Sequence, residues 1–539
     1  MSNAVLEIPG ISVDKDLMST NVVNLDALIP REDFSVLDDS APVSTIEKID
    51  IHHLDAHFFL TGLRKPDFQR ETVHWTPDKV VDLISAFING KLIPAVILWQ
   101  AGRFVFVIDG AHRLSALIAW VHDDYGDGHK SLKFFNNRIS DDQRKIAEKT
   151  RKAVKSEIGA YAEYKAVNTN PQNVSGAIRE KASKLGVTCI TAQWVTANDA
   201  KAAEVSYFKI NQAATPIDPT ERRILQARQS PNAIAARVIT RAGTGHKYWS
   251  DFEESRQQKI EELGHHIYKA LYEPPMEDGP IKTLDLPMAG RGYNVLPFVF
   301  DLVNQTNGVK KAESNKDDLE KDENGEKTIT FLANVKRHVD RISGNTSNSL
   351  GAHPVVYFYT QGGAFQPSAF LAFDLFVDSI DADGKLKSFL EAREELEGFL
   401  IAHKEHLGHI VHKYGSSHRS VIPIAEYFKT IFQFIRQGKN GESLRESLKA
   451  EQNYQFLFAP RPSNYRSSVK GGGKEFGRNT KSASFIKEAM EYSTKCSICR
   501  GLTHRNSIQI DHKQKKELGG SSDMRNAQIT HPYCNSTKG

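Results

Sequence analysis

Residues 495–539 read KCSICRGLTHRNSIQIDHKQKKELGGSSDMRNAQITHPYCNSTKG. Two ligand pairs frame this stretch: Cys496-x2-Cys499 and, after 31 intervening residues, His531-x2-Cys534. Two such pairs can bring four soft donors around one tetrahedral Zn²⁺. A unit of about 55 residues has little core of its own, so a structural metal is physically sensible there. The expected zinc ligands are Cys496, Cys499, His531 and Cys534. Between and after the pairs lie IQIDH, ending on Asp511-His512, then a Gly-Gly, then Asn526, and finally Asn535 directly after Cys534.

That order and spacing resemble the zinc-containing branch of the HNH, or His-Me finger, nucleases. The resemblance covers about 45 residues and implies a small ββα-metal fold. Cleaving a phosphodiester needs an activated water and a counter-charge for the leaving oxygen. The resemblance makes His512 the general base, and an imidazole with an ordinary pKa of about 6.5 suits proton removal near neutral pH. It makes Asp511 and Asn535 oxygen ligands of one catalytic Mg²⁺ or Mn²⁺, a hard cation. Asn526 would orient His512, and Lys513, Lys515, Lys516 and Arg525 would contact phosphates without reading sequence. His531 stands where that branch usually has a cysteine, and histidine is itself a zinc ligand.

The chain has 539 residues, which predicts two to four domains. Its 40% hydrophobic and 25% charged composition is ordinary for a globular protein. It holds no run of 18 apolar residues, so no membrane span is expected. The opening MSNAVLEIPGISVDKD lacks the basic and apolar regions of a secretory signal, which predicts a cytoplasmic protein. Of the four cysteines, Cys189 in GVTCITAQWV reads as a small buried hydrophobe. The other three cluster in the tail, which favours a metal site over disulfides. Residues 461–539 carry 15 Lys/Arg and 6 Asp/Glu, so a strongly basic end is joined to a mildly acidic body. Such an end is either a polyanion-binding surface or a solvated basic tail.

The expected class is multidomain α+β. Residues 1–40 lack clear periodicity and read as a loosely packed arm. In HWTPDKVVDLISAFING, Thr76 suits an N-cap, Pro77 the first turn and Gly90 the C-terminal end, with Val80, Leu83, Ile84 and Phe87 on one face. LIPAVILWQAGRFVFVIDG reads as two strands joined by a turn at QAGR. Residues 140–185 read as helical and 187–195 as strand. AEVSYFKINQAATPIDPTERRILQARQ reads as a strand, a polar turn and a helix. Residues 231–460 are mostly helical in pattern, with a solvated charged loop near 310–327. Residues 461–484 read as a basic flexible linker, and 485–539 form the last unit.

FVIDGAHRLSALIAWV, residues 106–121, passes from an apolar strand to an apolar helix through Asp109, Gly110, His112 and Arg113. By themselves these residues fit a tight turn and a solvated helix face. Their setting includes Gln69-Arg70 and Trp75 upstream, and FKINQAATPIDPTERRI downstream. That succession resembles the ParB-like N-terminal domain of GmrSD-type and SspE-type modification-dependent restriction proteins. Their domain carries DGQQR or DGQHR after a QR element, followed by a segment that corresponds here to Asn211–Ile217. The resemblance covers about residues 45–230, so the first domain is taken as 41–230. It implies a domain that binds and hydrolyses a nucleoside triphosphate, helps sense modified DNA, and is coupled to a C-terminal HNH nuclease.

A helix N-terminus after a glycine turn offers free N–H groups to an anion. Arg70, His112 and Arg113 would pair with phosphate oxygens. Asp109 would hold a metal ion or polarise a water, and Gln69 and Asn211 would fix orientation. Ala111 replaces the first Gln of DGQQR, and Ala213-Ala214 replace a glycine-containing turn. No GxxxxGK[ST] loop exists in the chain, so any nucleotide hydrolysis uses a different site.

The expected function is a nucleotide-regulated, metal-dependent DNA endonuclease of prokaryotic anti-phage defence, sensing modified DNA. Glucosylated hydroxymethylcytosine and phosphorothioate linkages are both family precedents. The alternative is a DGQHR-type DNA-binding regulator with an inactive or accessory HNH tail. A third is an RNA-directed or homing-type HNH enzyme on an N-terminal scaffold. Expected partners are DNA and a nucleotide, with no membrane; an oligomer is compatible with the sequence.

Overall fold

β-Branched and aromatic residues on either side of the Gly102 turn build the centre of a mixed sheet. The computed structural model describes residues 22–32, 46–55, 57–67, 69, 71–195, 200–213, 219–276, 279–290, 296–309, 320–415, 417–459 and 475–538. It divides into two units, Met1–Pro216 and Ile217–Gly539. In the first, six strands form one sheet: β1 (Arg31–Glu32), β2 (Lys48–Asp50), β3 (Leu63–Pro66), β4 (Val96–Ala101), β5 (Phe104–Asp109) and β6 (Cys189–Trp194). Their order is β1-β3-β5-β4-β6-β2. β4 and β5 are an antiparallel hairpin, whereas β3 runs parallel to β5 and β6 parallel to β4.

Phe106, Val107 and Ile108 of the central β5 are all buried, as a strand covered on both faces requires. The helix Pro77–Ile88 starts as its sequence suggests: the Thr76 hydroxyl accepts from the Lys79 N–H, and Pro77 occupies the first turn. Its Val80, Ile84 and Phe87 are buried against the sheet's helical layer. The helix Ala111–His122 is apolar almost all round, and Leu114, Leu117, Ile118 and Trp120 are fully enclosed.

Several expectations need correction. The described part of the N-terminal segment is no loose arm: Leu25, Leu28 and Ile29 are buried, and β1 pairs with β3. A buried charge cluster holds it, with Asp26 accepting from Arg31 at 2.9 Å, Lys65 at 2.7 Å and the Thr72 N–H at 3.0 Å. A two-residue polar strand has no alternation to read, so periodicity misses it. Burial pushes the Lys65 ammonium down to about 7, against the pull of Asp26. The strand expected at AEVSYFKI is instead part of the helix Ala200–Ala213. Ala203 and Tyr207, one helical turn apart, are both buried, and the preceding alanines favour helix. Cys189 is half-buried on β6 rather than enclosed.

The second unit is almost entirely helical around a phenylalanine-rich core that includes Phe358, Phe373, Phe376 and Phe428. Of the charged run at 310–327, residues 310–319 lie outside the described residues. Its described end, residues 320–325, is a loop as expected but is tied down: buried Asp322 accepts from the Gly325 and Thr328 N–H groups before the helix Glu326–Ile342. Of the linker at 461–484, residues 461–474 lie outside the described residues. The rest enters the helix Arg478–Glu491, whose Ile486 and Met490 join the core. The whole is a mixed α+β protein, mostly helical, with one small sheet in each unit. Among the described residues no helix is long and apolar enough to cross a membrane.

Buried histidines give the second unit an acid limit. Burial holds His406 at about 3 and His504 at about 4, below the ordinary 6.5. The folded chain keeps them neutral while the unfolded chain protonates them below 6.5. Stability is therefore full above about pH 6.5 and falls on acidification, by about 1.4 kcal/mol per pH unit for each such proton. Denaturant midpoints at pH 7.5 and 5.5 check this. The drop is expected to shrink in His406→Gln.

Candidate active site and metal centre

β7 (Gln509–His512) and β8 (Ala527–Thr530) pair antiparallel, with Asp511 opposite Gln528 and His512 opposite Ala527. The helix Pro532–Thr537 follows and packs on β7, so this segment is ββα. Cys496, Cys499, His531 and Cys534 are all buried, and their donor atoms lie within 4.8 Å of one another. Cys499 Sγ is 3.3 Å and Cys534 Sγ 4.0 Å from His531 Nδ1. A tetrahedron with Zn–S about 2.3 Å and Zn–N about 2.0–2.1 Å has edges near ~3.5 Å, so the set fits zinc. The other ring nitrogen, Nε2, lies 3.0 Å from the Leu502 carbonyl and donates to it, which turns Nδ1 toward the sulfurs.

The helical part of the same unit grips this centre. Buried Arg393 donates to Glu397 at 2.7 Å and to the carbonyls of Leu350 and Gly351, and lies 3.2 Å from His531 Nδ1. Glu397 also accepts from the Leu502 N–H at 2.7 Å and from Tyr357 at 3.0 Å. A β-carbon at Gly501 would collide with the Arg393 guanidinium, so that position needs a residue without one. Three thiolates around Zn²⁺ carry a net negative charge, which the guanidinium offsets.

At the expected catalytic positions, Asp511 Oδ2 accepts from Gln528 at 2.8 Å and from Lys538 at 2.9 Å. Burial pushes the Asp511 carboxyl up, but Lys538 and Gln528 outweigh it and hold the group below its ordinary range. Lys538 also donates to the carbonyls of His512 and Lys513. Asn535 Nδ2 donates to Gln509 Oε1 at 2.8 Å. Asn526 does not reach the His512 ring. Its amide accepts from the Gln514 N–H and donates to the Ser521 carbonyl, closing the loop that follows His512. Lys513, Lys516 and Arg525 are exposed, and Lys515 is half-buried. The motif did not point to Gln509, Gln528, Arg393 or Glu397. Gln528 is recognisable only once the hairpin register puts it opposite Asp511.

A second cluster, His403, Glu405 and His406, also has donor atoms within 4.8 Å. Its two imidazoles are stacked at 4.7 Å with planes 9° apart. Their in-plane lone pairs run in parallel planes and do not converge on one ion.

In the first unit, Gly110 has φ +100° and is the N-cap of the helix Ala111–His122. An alanine there would put a β-carbon 2.6 Å from Val96 Cγ1 and adopt a backbone that L residues rarely take. Gly110→Ala is expected to lower stability by about 1–3 kcal/mol, read from the full chain's denaturant midpoint. Arg113 is not turned outward: it donates to Asp109 at 2.7 Å and to the Ala95 carbonyl at 3.1 Å. An i,i+4 acid across the glycine turn is the nearest counter-charge a half-buried guanidinium can reach. His112 stacks on Trp75 at 5.6 Å. Gln69 is buried and reaches the Ile108 carbonyl at 3.5 Å. Asn211 lies on the helix Ala200–Ala213, which packs on β5. Its side chain, and all of Arg70, lie outside the described residues.

The ββα element with its buried Cys3His centre defines a zinc-bearing nuclease module of the His-Me finger type. Residues 496–539 match the family model of the HNH endonuclease, and residues 53–228 match that of the GmrSD restriction endonuclease, N-terminal domain. The chain thus carries an N-terminal GmrSD domain and a C-terminal HNH endonuclease domain, the pairing of a GmrSD-type fusion, and these two domains support a DNA endonuclease of restriction or defence. No curated protein and no solved structure matches it.

Proposed function

We propose that the chain is a nucleotide-regulated, divalent-metal-dependent endonuclease that senses modified DNA through its first unit and cuts with its last 45 residues. The observation that carries the nuclease half is the ordering of Asp511 and Asn535 by hydrogen bonds on adjoining faces of β7 and the last helix. His512 takes the proton from the attacking water. Asp511 and Asn535 offer oxygens to Mg²⁺ or Mn²⁺, whose role is to stabilise the charge on the departing 3′ oxygen. Asn526 acts on His512 through the loop backbone. Lys513, Lys515, Lys516 and Arg525 hold the flanking phosphates.

In the first unit, Gln69, Arg70, Asp109, Gly110, His112, Arg113 and Asn211 form the nucleotide or DNA-phosphate site. The N–H groups opening the helix Ala111–His122 supply fixed donors. Arg113 exchanges Asp109 for a phosphate oxygen, so ligand arrival frees a carboxylate. The substrate is phage or host DNA, which implies a cytoplasmic location.

A cleavage assay tests this, using glucosylated, phosphorothioate and unmodified DNA with Mg²⁺ or Mn²⁺ and each triphosphate in turn. Cutting is expected only with metal, to depend on modification and to change with one triphosphate. Asp109→Ala and Arg113→Ala should remove the triphosphate response. Equal cutting of every DNA, unaffected by triphosphates, would leave a plain endonuclease. No cutting under any condition would favour a DNA-binding regulator with an inactive tail.

A further inference from the structure

We infer that Gln509 is a positioning residue that decides which end of the Asn535 amide faces the catalytic cation. The inference rests on the assignment of Asp511 and Asn535 as ligands of that ion. A backbone carbonyl can only accept. The Asn345 backbone carbonyl lies 3.2 Å from Gln509 Nε2, so Gln509 must present its NH2 there. That turns Gln509 Oε1 toward Asn535, and this oxygen in turn can only accept. Asn535 must then present Nδ2, which it does at 2.8 Å. The free end of Asn535 is therefore Oδ1, the end a hard cation requires. A flipped Asn535 would aim an NH2 at the ion and add no ligand.

The second ligand is restrained in the same sense. The side-chain donors to Asp511, Gln528 and Lys538, both go to Oδ2, leaving Oδ1 without a side-chain partner among the described residues. Gln509 and Asp511 are two residues apart on β7, so they share a face. Each ligand thus has one end taken by an outer side chain and the other without a side-chain partner among the described residues.

The anchor of this chain of amides lies outside the nuclease motif. Asn345 belongs to the segment after the helix Glu326–Ile342, and that segment is laced to the nuclease module. The Gly344 N–H donates to Ser507 Oγ at 2.8 Å, the Tyr533 N–H to the Ser349 carbonyl at 2.9 Å, and Ser536 Oγ to the Ser347 carbonyl at 2.8 Å. The helical segment therefore sets the orientation of a metal ligand 190 residues away in sequence (Asn345 to Asn535). A shift of residues 343–351 would release Gln509 and, through it, Asn535.

Mn²⁺ binding to the full chain, followed by electron paramagnetic resonance and calorimetry, tests the relay. Gln509→Leu removes both bonds and should weaken Mn²⁺ about ten-fold or more. Cleavage should recover at saturating Mn²⁺, while zinc content and melting temperature stay unchanged. Gln509→Glu still accepts from Asn535 and should retain more Mn²⁺ affinity than Gln509→Leu. Unchanged Mn²⁺ affinity in Gln509→Leu overturns the inference, as does a loss matched by lost zinc or a lower melting temperature. Asp511→Ala and Asn535→Ala separate the two levels. If neither weakens Mn²⁺, the ligand assignment itself fails. If both do and Gln509→Leu does not, only the relay fails.

Discussion

His512→Ala is expected to reduce DNA cleavage by about 10²–10⁴-fold while the protein stays folded and zinc-loaded. The residue ends β7, where its backbone pairs with Ala527, so an alanine preserves the hairpin. The ring is half-buried rather than enclosed, and its removal leaves no large cavity. The loss should therefore appear in turnover and not in melting temperature. His512→Ala should also still bind Mn²⁺, because the proposed ligands are Asp511 and Asn535. Plasmid nicking, zinc content and thermal melting measured on the same preparation check all three. Cleavage within a few-fold of the parent would remove His512 from the chemistry.

Stripping zinc, or replacing Cys496 with alanine, is expected to unfold the nuclease module and lower the thermal midpoint of the second unit. Zinc binding in small metal-organised domains supplies about 10–16 kcal/mol, more than a short ββα segment can recover from its own packing. Without a cation the three thiols cannot all ionise. The neighbouring Cys496 pushes Cys499 up to about 11, and Cys534 is pushed up as well. The effect spreads because Leu502, which leads out of the first cysteine pair, belongs to the unit's main core. Arg393 and Glu397, both buried, would also lose His531 and the Leu502 N–H as neighbours. Unsatisfied buried charges cost several kcal/mol. Calorimetry with a zinc chelator, then with zinc restored, measures the shift. An unchanged endotherm after verified zinc loss would show the centre to be dispensable.

Local spacing carried much of this protein's organisation. The paired ligands at 496/499 and 531/534 are the ones that cluster, because two residues of separation place both side chains of a pair on one turn. Thr76-Pro77 opens a helix, and QAGR joins β4 to β5. These features depend on neighbours a few residues away, so they are written in the chain directly. The strand misread at AEVSYFKI shows the limit of such reading, since a short apolar run fits either period until its buried side is known.

The sequence by itself determined the four residues that cluster as a metal centre, the strand-to-helix junction at Gly110 and the joining of a GmrSD N-terminal domain to an HNH nuclease domain. Only the tertiary structure decided which groups those residues meet. It brought Lys65 to Asp26 across 39 residues, Arg393 to His531 across 138 and Gln509 to Asn345 across 164. The reason is the cost of burying an unpaired polar group, which is paid down by whichever partner the fold brings within 3 Å or so, not by the nearest one in sequence.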